Sequence, residues 1–264
     1  MNSMLSEELN ALRSLHEQYH KNVLYISPEQ QNRLKEKTIL FAGVGLGSVI
    51  AEAALRIGFE KFILIDGDEV EKSNLNRQNY ISENLNTPKV EAIKQRLLKI
   101  NPEAQIETHQ VFLNKKNMAS FIKKSDIAIN AIDFDIASIS IEFDKSCQKL
   151  DVPIIHPFNF GWAGAAYVVT SETDLLPIKA EKNSRYEITL IQDFIDKFAN
   201  KDYIKIDWFE NFLDAYQKYS SLISPPQLVV GSHLAAALVT NILFSLSNGI
   251  DIKTFPHPYF LSTR

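Results

Sequence analysis

Four side chains that follow Asp66 could together hold a chain of phosphates: Asn74, Arg77 and Gln78 in DGDEVEKSNLNRQNY (66–80), and Lys89 in TPKVEAI just after it. A guanidinium and an ammonium within one connection suit an anion carrying more charge than backbone amides neutralise. Asn74 and Gln78 add neutral hydrogen-bonding groups for phosphate or sugar oxygens. Upstream, AGVGLGS at 42–48 spaces Gly43, Gly45 and Gly47 so that the backbone can approach a phosphate and offer it helix N–H groups. Asp66, 23 positions beyond Gly43, falls where a carboxylate accepts hydrogen bonds from ribose hydroxyls. The glycines and Asp66 fit NAD and ATP alike. Arg77 and Lys89 favour the triphosphate, because a dehydrogenase needs no cation just past its ribose carboxylate.

These residues meet only if strand and helix ends bring them together. Ser27, Pro28 and Gln30 read as a capping box that opens a helix. TILFAG (38–43) is a short buried strand, SVIAEAALRIG (48–58) a helix stopped by Gly58, and KFILID (61–66) a second strand. PKVEAIKQRLLKI (88–100) places Val90, Ile93, Leu97 and Leu98 on one helical face. Strands are expected at 105–111, 126–131, in VPIIH and in GAAYVVT, with a helix over 136–150. The alternation predicts an α/β fold: a Rossmann-like, doubly wound, mostly parallel sheet with helices on both faces and a C-terminal helical insert. The expected divisions are an N-terminal helical segment (1–37), an ATP-binding core (38–175), a helical insert or crossover (176–226), and a helix and tail completing the core (227–264). The apolar run at 228–249 is nearly long enough for a membrane. Ser232, His233, Thr240 and Asn241 interrupt it and no basic cluster flanks it, so a helix buried against a sheet is expected.

A net charge of −4 gives no global pull toward nucleic acid or anionic lipid. One cysteine, Cys147, excludes an internal disulfide and a cysteine-built zinc cluster, and suits a reducing cytoplasm. His16 and His20 have metal-compatible spacing but no third ligand. His156 and His257 each precede a proline and read as structural.

Taken in order, AGVGLGS, LIDGDEVEKSNLNRQ, TPKVEAI and NAIDFD resemble the adenylation domain of the ubiquitin-activating-enzyme superfamily, over about residues 17–170 and again in the helix near 228–249. Bacterial members of that family adenylate sulfur-carrier proteins. The resemblance implies an ATP- and Mg²⁺-dependent adenylyltransferase that activates a carboxylate, the C-terminus of a small ubiquitin-like or sulfur-carrier protein or of a peptide, and works as a homodimer. It implies that Gly43, Gly45, Gly47, Asp66 and Asp68 belong to the nucleotide site, with Asn74, Arg77, Gln78 and Lys89 on the phosphates and Asp133 as metal ligand, Asp135 assisting. Arg77, Lys89, Asp133 and Lys21 would carry the catalysis. The alternatives within the family are a dehydratase acting on threonylcarbamoyl-adenosine in tRNA and a catalytically weak nucleotide-binding partner subunit.

The chain departs from the family pattern in four places. Ala42 replaces a glycine. Lys21 stands where the family has an arginine that reaches the partner subunit's phosphates, with Arg13 as the other candidate. Paired Cys-x-x-Cys motifs are lacking, and no cysteine follows the core, which speaks against a thioester step. Phe158, Phe160 and Trp162 lie where the family's acceptor channel runs.

Overall fold

The computed structural model describes residues 17–133, 137–176, 186–198, 207–219 and 222–264. In chain order the elements are α1 (Pro28–Glu36), β1 (Thr38–Ala42), α2 (Gly45–Ile57), β2 (Lys61–Ile65), α3 (Lys89–Ile100), β3 (Gln105–His109), α4 (Met118–Ile122) and β4 (Ile127–Asn130). There follow α5 (Ala137–Lys149), β5 (Ile154–Asn159), β6 (Ala163–Val169), α6 (Tyr186–Phe198), α7 (Asp207–Tyr219), α8 (Val229–Ser247) and β7 (Tyr259–Ser262). The α1 cap is built as its residue types predict: Ser27 accepts from the Gln30 amide, and the Gln30 side chain accepts from the Ser27 amide.

Among the described residues the strands form one sheet in the order β3-β2-β1-β4-β5-β6-β7. The first five run parallel; β5–β6 and β6–β7 are antiparallel. The architecture is therefore the Rossmann-like, mostly parallel sheet expected. Chain order reverses direction at β1, which has β2 on one side and β4 on the other. In such sheets the crevice beyond the carboxyl ends of these strands receives ligands.

Helices cover both faces. On one, α1, α2, α3 and α8 bury Leu34, Ile50, Leu55, Val90, Leu97, Val239 and Leu243 against Phe41, Phe62 and Ile129. On the other, α4 to α7 bury Phe121, Phe143, Cys147, Phe194 and Phe209 against Leu40, Ile63, Phe158 and Tyr167. By length and composition α8 could cross a membrane, yet half of its apolar window is buried inside this fold. It lies on β5, β6 and α2. Contact with β6 is close enough that a Cβ on Gly164 would stand 2.3 Å from the Ala235 nitrogen.

Three details differ from the sequence expectation. Helix α2 begins at Gly45 rather than Ser48, so two of the glycines form its first turn. Residues 118–122 form a short helix that was not anticipated. The proline-punctuated tail contributes β7, whose register with β6 pairs Tyr259 with Ala166 and Ser262 with Ala163. Proline flanks that strand without interrupting it, which is where a missing N–H is tolerated.

Candidate active site

A cavity of about 940 Å³ opens over the carboxyl ends of β1, β2, β4 and β5. Its walls include Gly43, Gly45, Asp66, Asp68, Asn74, Arg77, Gln78, Lys89 and Asp133, so residues spread over ninety positions of sequence share one space.

The floor is the β1–α2 turn. Gly43 has φ of 95°, and a Cβ there would sit 2.4 Å from the Ala131 carbonyl oxygen at the end of β4. No other residue type passes between the two strand ends without moving one of them. The N-cap of α2, Val44, supplies no side-chain hydrogen bond, so the first amides of that helix are left to an anion. Gly47 faces away from the cavity, its Cβ position 3.4 Å from the Phe41 ring, and is a packing glycine.

The Asp66 carboxylate is fixed by two backbone amides, Val44 at 2.9 Å and Asp68 at 2.9 Å. Burial raises its pKa, with the Lys89 ammonium and those amides opposing. Lys89 is itself buried, at the first position of α3, and pairs with Asp68 at 3.0 Å. Asn74 is buried and spends its side-chain oxygen locally, accepting from the Glu71 amide at 3.0 Å. Gln78 lies over Gly45, and its Oε1 is buried with no hydrogen-bond partner. A buried amide oxygen in that state fits a ligand that brings an O–H or N–H donor into the cavity. The whole stretch is pinned to α2: the Tyr80 hydroxyl donates to the Val44 carbonyl at 2.7 Å, and the Asn79 amide donates to the Ser48 hydroxyl at 3.0 Å.

Arg77 is half-buried; its Nε donates to Oε1 of Gln227 at 2.8 Å and its Nη1 to the Ser73 carbonyl at 2.9 Å. Burial lowers its pKa, and the nearby Asp133 opposes this. Asp133 is exposed at the cavity rim, just past β4. A lone carboxylate on a cavity rim fits the coordination habit of Mg²⁺, which keeps several waters when protein carboxylates hold it. No group of three or more metal-ligating side chains exists among the described residues. His16, Arg13 and Asp135 lie outside them.

Lys21, expected to act on a partner subunit's phosphates, does not join the cavity of its own chain. It is exposed and is not among the lining residues. Its 3-10 turn is held by Tyr19 and Asn22, which donate to the carbonyls of Leu55 and Ile57 at the far end of α2. That is roughly 18 Å of helix from Gly45. Lys21 cannot serve the cavity of its own chain.

On the β5 side, Phe158 and Phe160 line the cavity, with Ile191 of α6 and Phe212 of α7 facing them. Trp162 does not; its ring packs under the Arg264 guanidinium at 4.4 Å. Cys147 is fully buried in α5, and burial pushes its thiol pKa up, so it is no nucleophile. Sequence reasoning missed Phe112, Asn130, His156 and Gln227, all on the wall. Asn130 and His156 end or follow predicted strands and could have been suspected from that place alone. Phe112 and Gln227 carried no local signal.

The model of the ThiF family matches residues 19–245. The chain belongs to this family. A tRNA threonylcarbamoyladenosine dehydratase of Bacillus subtilis is 34% identical over 141 residues, 52% of this chain and 55% of that protein. A molybdopterin-synthase adenylyltransferase of Haemophilus influenzae is 33% identical over 144 residues, 54% of this chain and 58% of its own length. The chain thus spans little more than half of these relatives. Among solved structures, Escherichia coli MccB with AMPCPP and MccA superposes with a TM-score of 0.64 at 18% identity, covering 94% of this chain and 69% of MccB. PaaA superposes at 0.65 and 20% identity, covering 98% of this chain and 80% of its own. At such identities the likeness is one of fold.

Proposed function

We propose that this ThiF-family chain is an Mg-ATP-dependent adenylyltransferase that activates a carboxylate as its acyl-adenylate and releases pyrophosphate. The observation that carries this is the single cavity in which a phosphate-type wall, Gly45 to Lys89, adjoins an apolar wall on β5. Asp66 would take the ribose hydroxyls, and the α2 amides, Gln78, Arg77 and Lys89 the phosphates. Arg77 now holds Gln227, a neutral partner that a phosphate can displace. When bound at Asp133, Mg²⁺ supplies charge neutralisation of the phosphates. Attack of the carboxylate on the α-phosphorus concentrates negative charge, and fixed cations and amides stabilise it without reorganising.

The acceptor is the C-terminus of a small ubiquitin-like or sulfur-carrier protein, or a peptide. The related adenylyltransferase and MccB with its MccA support that class. The B. subtilis relative supports a second reading, ATP-dependent dehydration of a threonylcarbamoyl-adenosine in tRNA. A homodimer in the cytoplasm completes the proposal, with Lys21 acting on the cavity of a second copy.

Ligand-induced stabilisation tests it. At 100 times its dissociation constant, Mg-ATP should add about 2.7 kcal/mol to stability, seen as a melting shift. Asp133→Ala should lose the magnesium-dependent part. Stabilisation by NAD alone would return the dehydrogenase reading; stabilisation by neither would favour a partner subunit without catalysis.

A further inference from the structure

An acyl-adenylate made in this cavity must be passed on, and the chain offers no accessible thiol to receive it: its one cysteine, Cys147, is fully buried between α5 and the sheet. The nucleophile must therefore come from outside the chain or from the substrate itself, and where it is an O–H or N–H its attack on the acyl carbon needs a proton acceptor. Among the described lining residues, His156 is the only imidazole.

Its setting is that of a held base. β5 places His156 and Phe158 on one face by the two-residue period of a strand, and Phe160 just past its end continues the row. Their rings run nearly parallel, 12° between the first two and 3° between the second pair. The ring is 3% exposed. Its Nε2 lies 3.2 Å from Oδ2 of Asp144, within ion-pair range though off the hydrogen-bond line. Asp144 is 1% exposed and is oriented in turn by Asn130, whose Nδ2 donates to its other oxygen at 2.7 Å. Asn130 also donates to the Ser140 hydroxyl at 2.9 Å, so the carboxylate is anchored to both β4 and α5. The ring's other nitrogen, Nδ1, has no protein partner recorded among the described residues, and His156 is part of the cavity wall. β4 and β5 run parallel in register, Ile129 beside Ile155, which sets Asn130 next to His156 and Asp133 just beyond. A carboxylate 3.2 Å behind one nitrogen of an imidazole on the cavity wall is an arrangement that general-base catalysis can use.

We propose that His156, oriented by Asp144, is the general base of a second half-reaction in which an oxygen or nitrogen nucleophile takes the acyl group from the adenylate. The proposal rests on the adenylation reading above. As the nucleophile's heteroatom bonds to the acyl carbon, its proton passes to Nδ1. The bond from that carbon to the phosphate oxygen breaks, and AMP leaves with the electron pair. No oxidant, reductant or further reactant is needed. Asp144 is a positioning residue here, and Asn130 positions Asp144.

The test bypasses the unidentified acceptor. Synthetic benzoyl-adenylate is given to the full chain with glycinamide as nucleophile, and AMP and benzoyl-glycinamide are measured. The parent should accelerate transfer over buffer. His156→Ala should slow it by about 100-fold or more, and added imidazole should restore part of the rate, which no structural role of the ring would allow. Because that variant leaves the Asp144 carboxylate buried alone, the Asp144→Asn/His156→Gln double variant serves as a second, charge-free probe and should be equally slow. Both should keep the parental melting shift with Mg-ATP. A His156→Ala protein at the parental rate, or a parent no faster than buffer, overturns the proposal while Mg-ATP stabilisation leaves adenylation standing. A parent that Mg-ATP does not stabilise removes the adenylation reading and this proposal with it.

Discussion

The two walls of the cavity hold their side chains by different means. On the wall from Gly45 to Lys89 several polar groups are tied to nearby backbone: Asp66 to the amides of Val44 and Asp68, Asn74 to that of Glu71, Arg77 to the Ser73 carbonyl. Most partners lie within a few residues of one another, so the spacing of the chain itself encodes the geometry. The β5 wall is assembled from rings that are distant in sequence. Phe194 of α6 touches Phe158, Phe160 and Tyr167, with centroids 5.0 to 6.0 Å apart, and Phe260 of β7 at 5.9 Å. Removing one residue should therefore damage the first wall locally and the second collectively.

The largest effect should come from Phe194→Ala. It empties a fully buried ring site where aromatic rings of β5, β6 and β7 and of the segment after β5 meet. Phe→Ala at such a place costs about 3–5 kcal/mol of stability, measurable by denaturant titration. Mg-ATP affinity of the folded fraction should stay parental, and a loss there would break the separation of the walls. Lys89→Ala tests the opposite side. Its Asp68 partner is 45% exposed and can return to water, but the buried Asp66 carboxylate loses a compensating cation, so the melting point should fall, by less than for Phe194→Ala. Losing one charge-assisted contact of about 1.5–3 kcal/mol should weaken Mg-ATP roughly 10- to 150-fold by calorimetry. Gly45→Ala is subtler: its Cβ would meet only the movable end of Gln78, at 3.1 Å. Helix propensity favours Ala by about 0.5–1 kcal/mol, so stability should be equal or slightly higher while Mg-ATP binds more weakly.

The smallest effect is a pH dependence. Asp66 has its folded pKa raised above the ordinary value of 3.8, chiefly by burial. A carboxyl shifted that way is relatively more stable in the folded state once protonated. The parent without ligand should gain stability relative to Asp66→Asn as pH falls from neutrality through the raised value, with the gain complete below 3.8. Mg-ATP affinity should fall over the same window. Paired melts across pH decide it; a difference that runs the other way would mean that the amides and Lys89 outweigh burial.

That contrast between walls also explains what was legible in the sequence. Gly43 and Asp66 could be placed because strand-turn-helix spacing puts them at the switch point whatever the rest of the fold does. Arg77 and Lys89 were readable as a pair for the same reason. His156 read as structural because its environment, Asp144 and Asn130, comes from two other elements, and nothing in IIHPFN announces them. Gln227 is likewise invisible: it reaches Arg77 only because the segment before α8 crosses the cavity mouth. Which way Gly47 and Trp162 face could not be read, because a neighbour distant in sequence, here Phe41 and Arg264, decides it. Strand β7 was missed because four residues between prolines and a polar end carry too little pattern to distinguish an edge strand from coil.

The seating of α8 has a consequence for how the polypeptide comes off the ribosome. Strands β1 to β6 are all synthesised before the helix that roofs one face of them, and the Gly164 contact shows how closely that roof must fit. Until α8 emerges, Ile155, Ala166 and Val168 have no cover on that side, and α8 itself is apolar almost all round. Two complementary sticky surfaces then coexist in one nascent chain, separated in time by the length of the insert. Slower translation through α6 and α7 would prolong that interval, and a holding chaperone during it should raise the yield of soluble protein on overexpression.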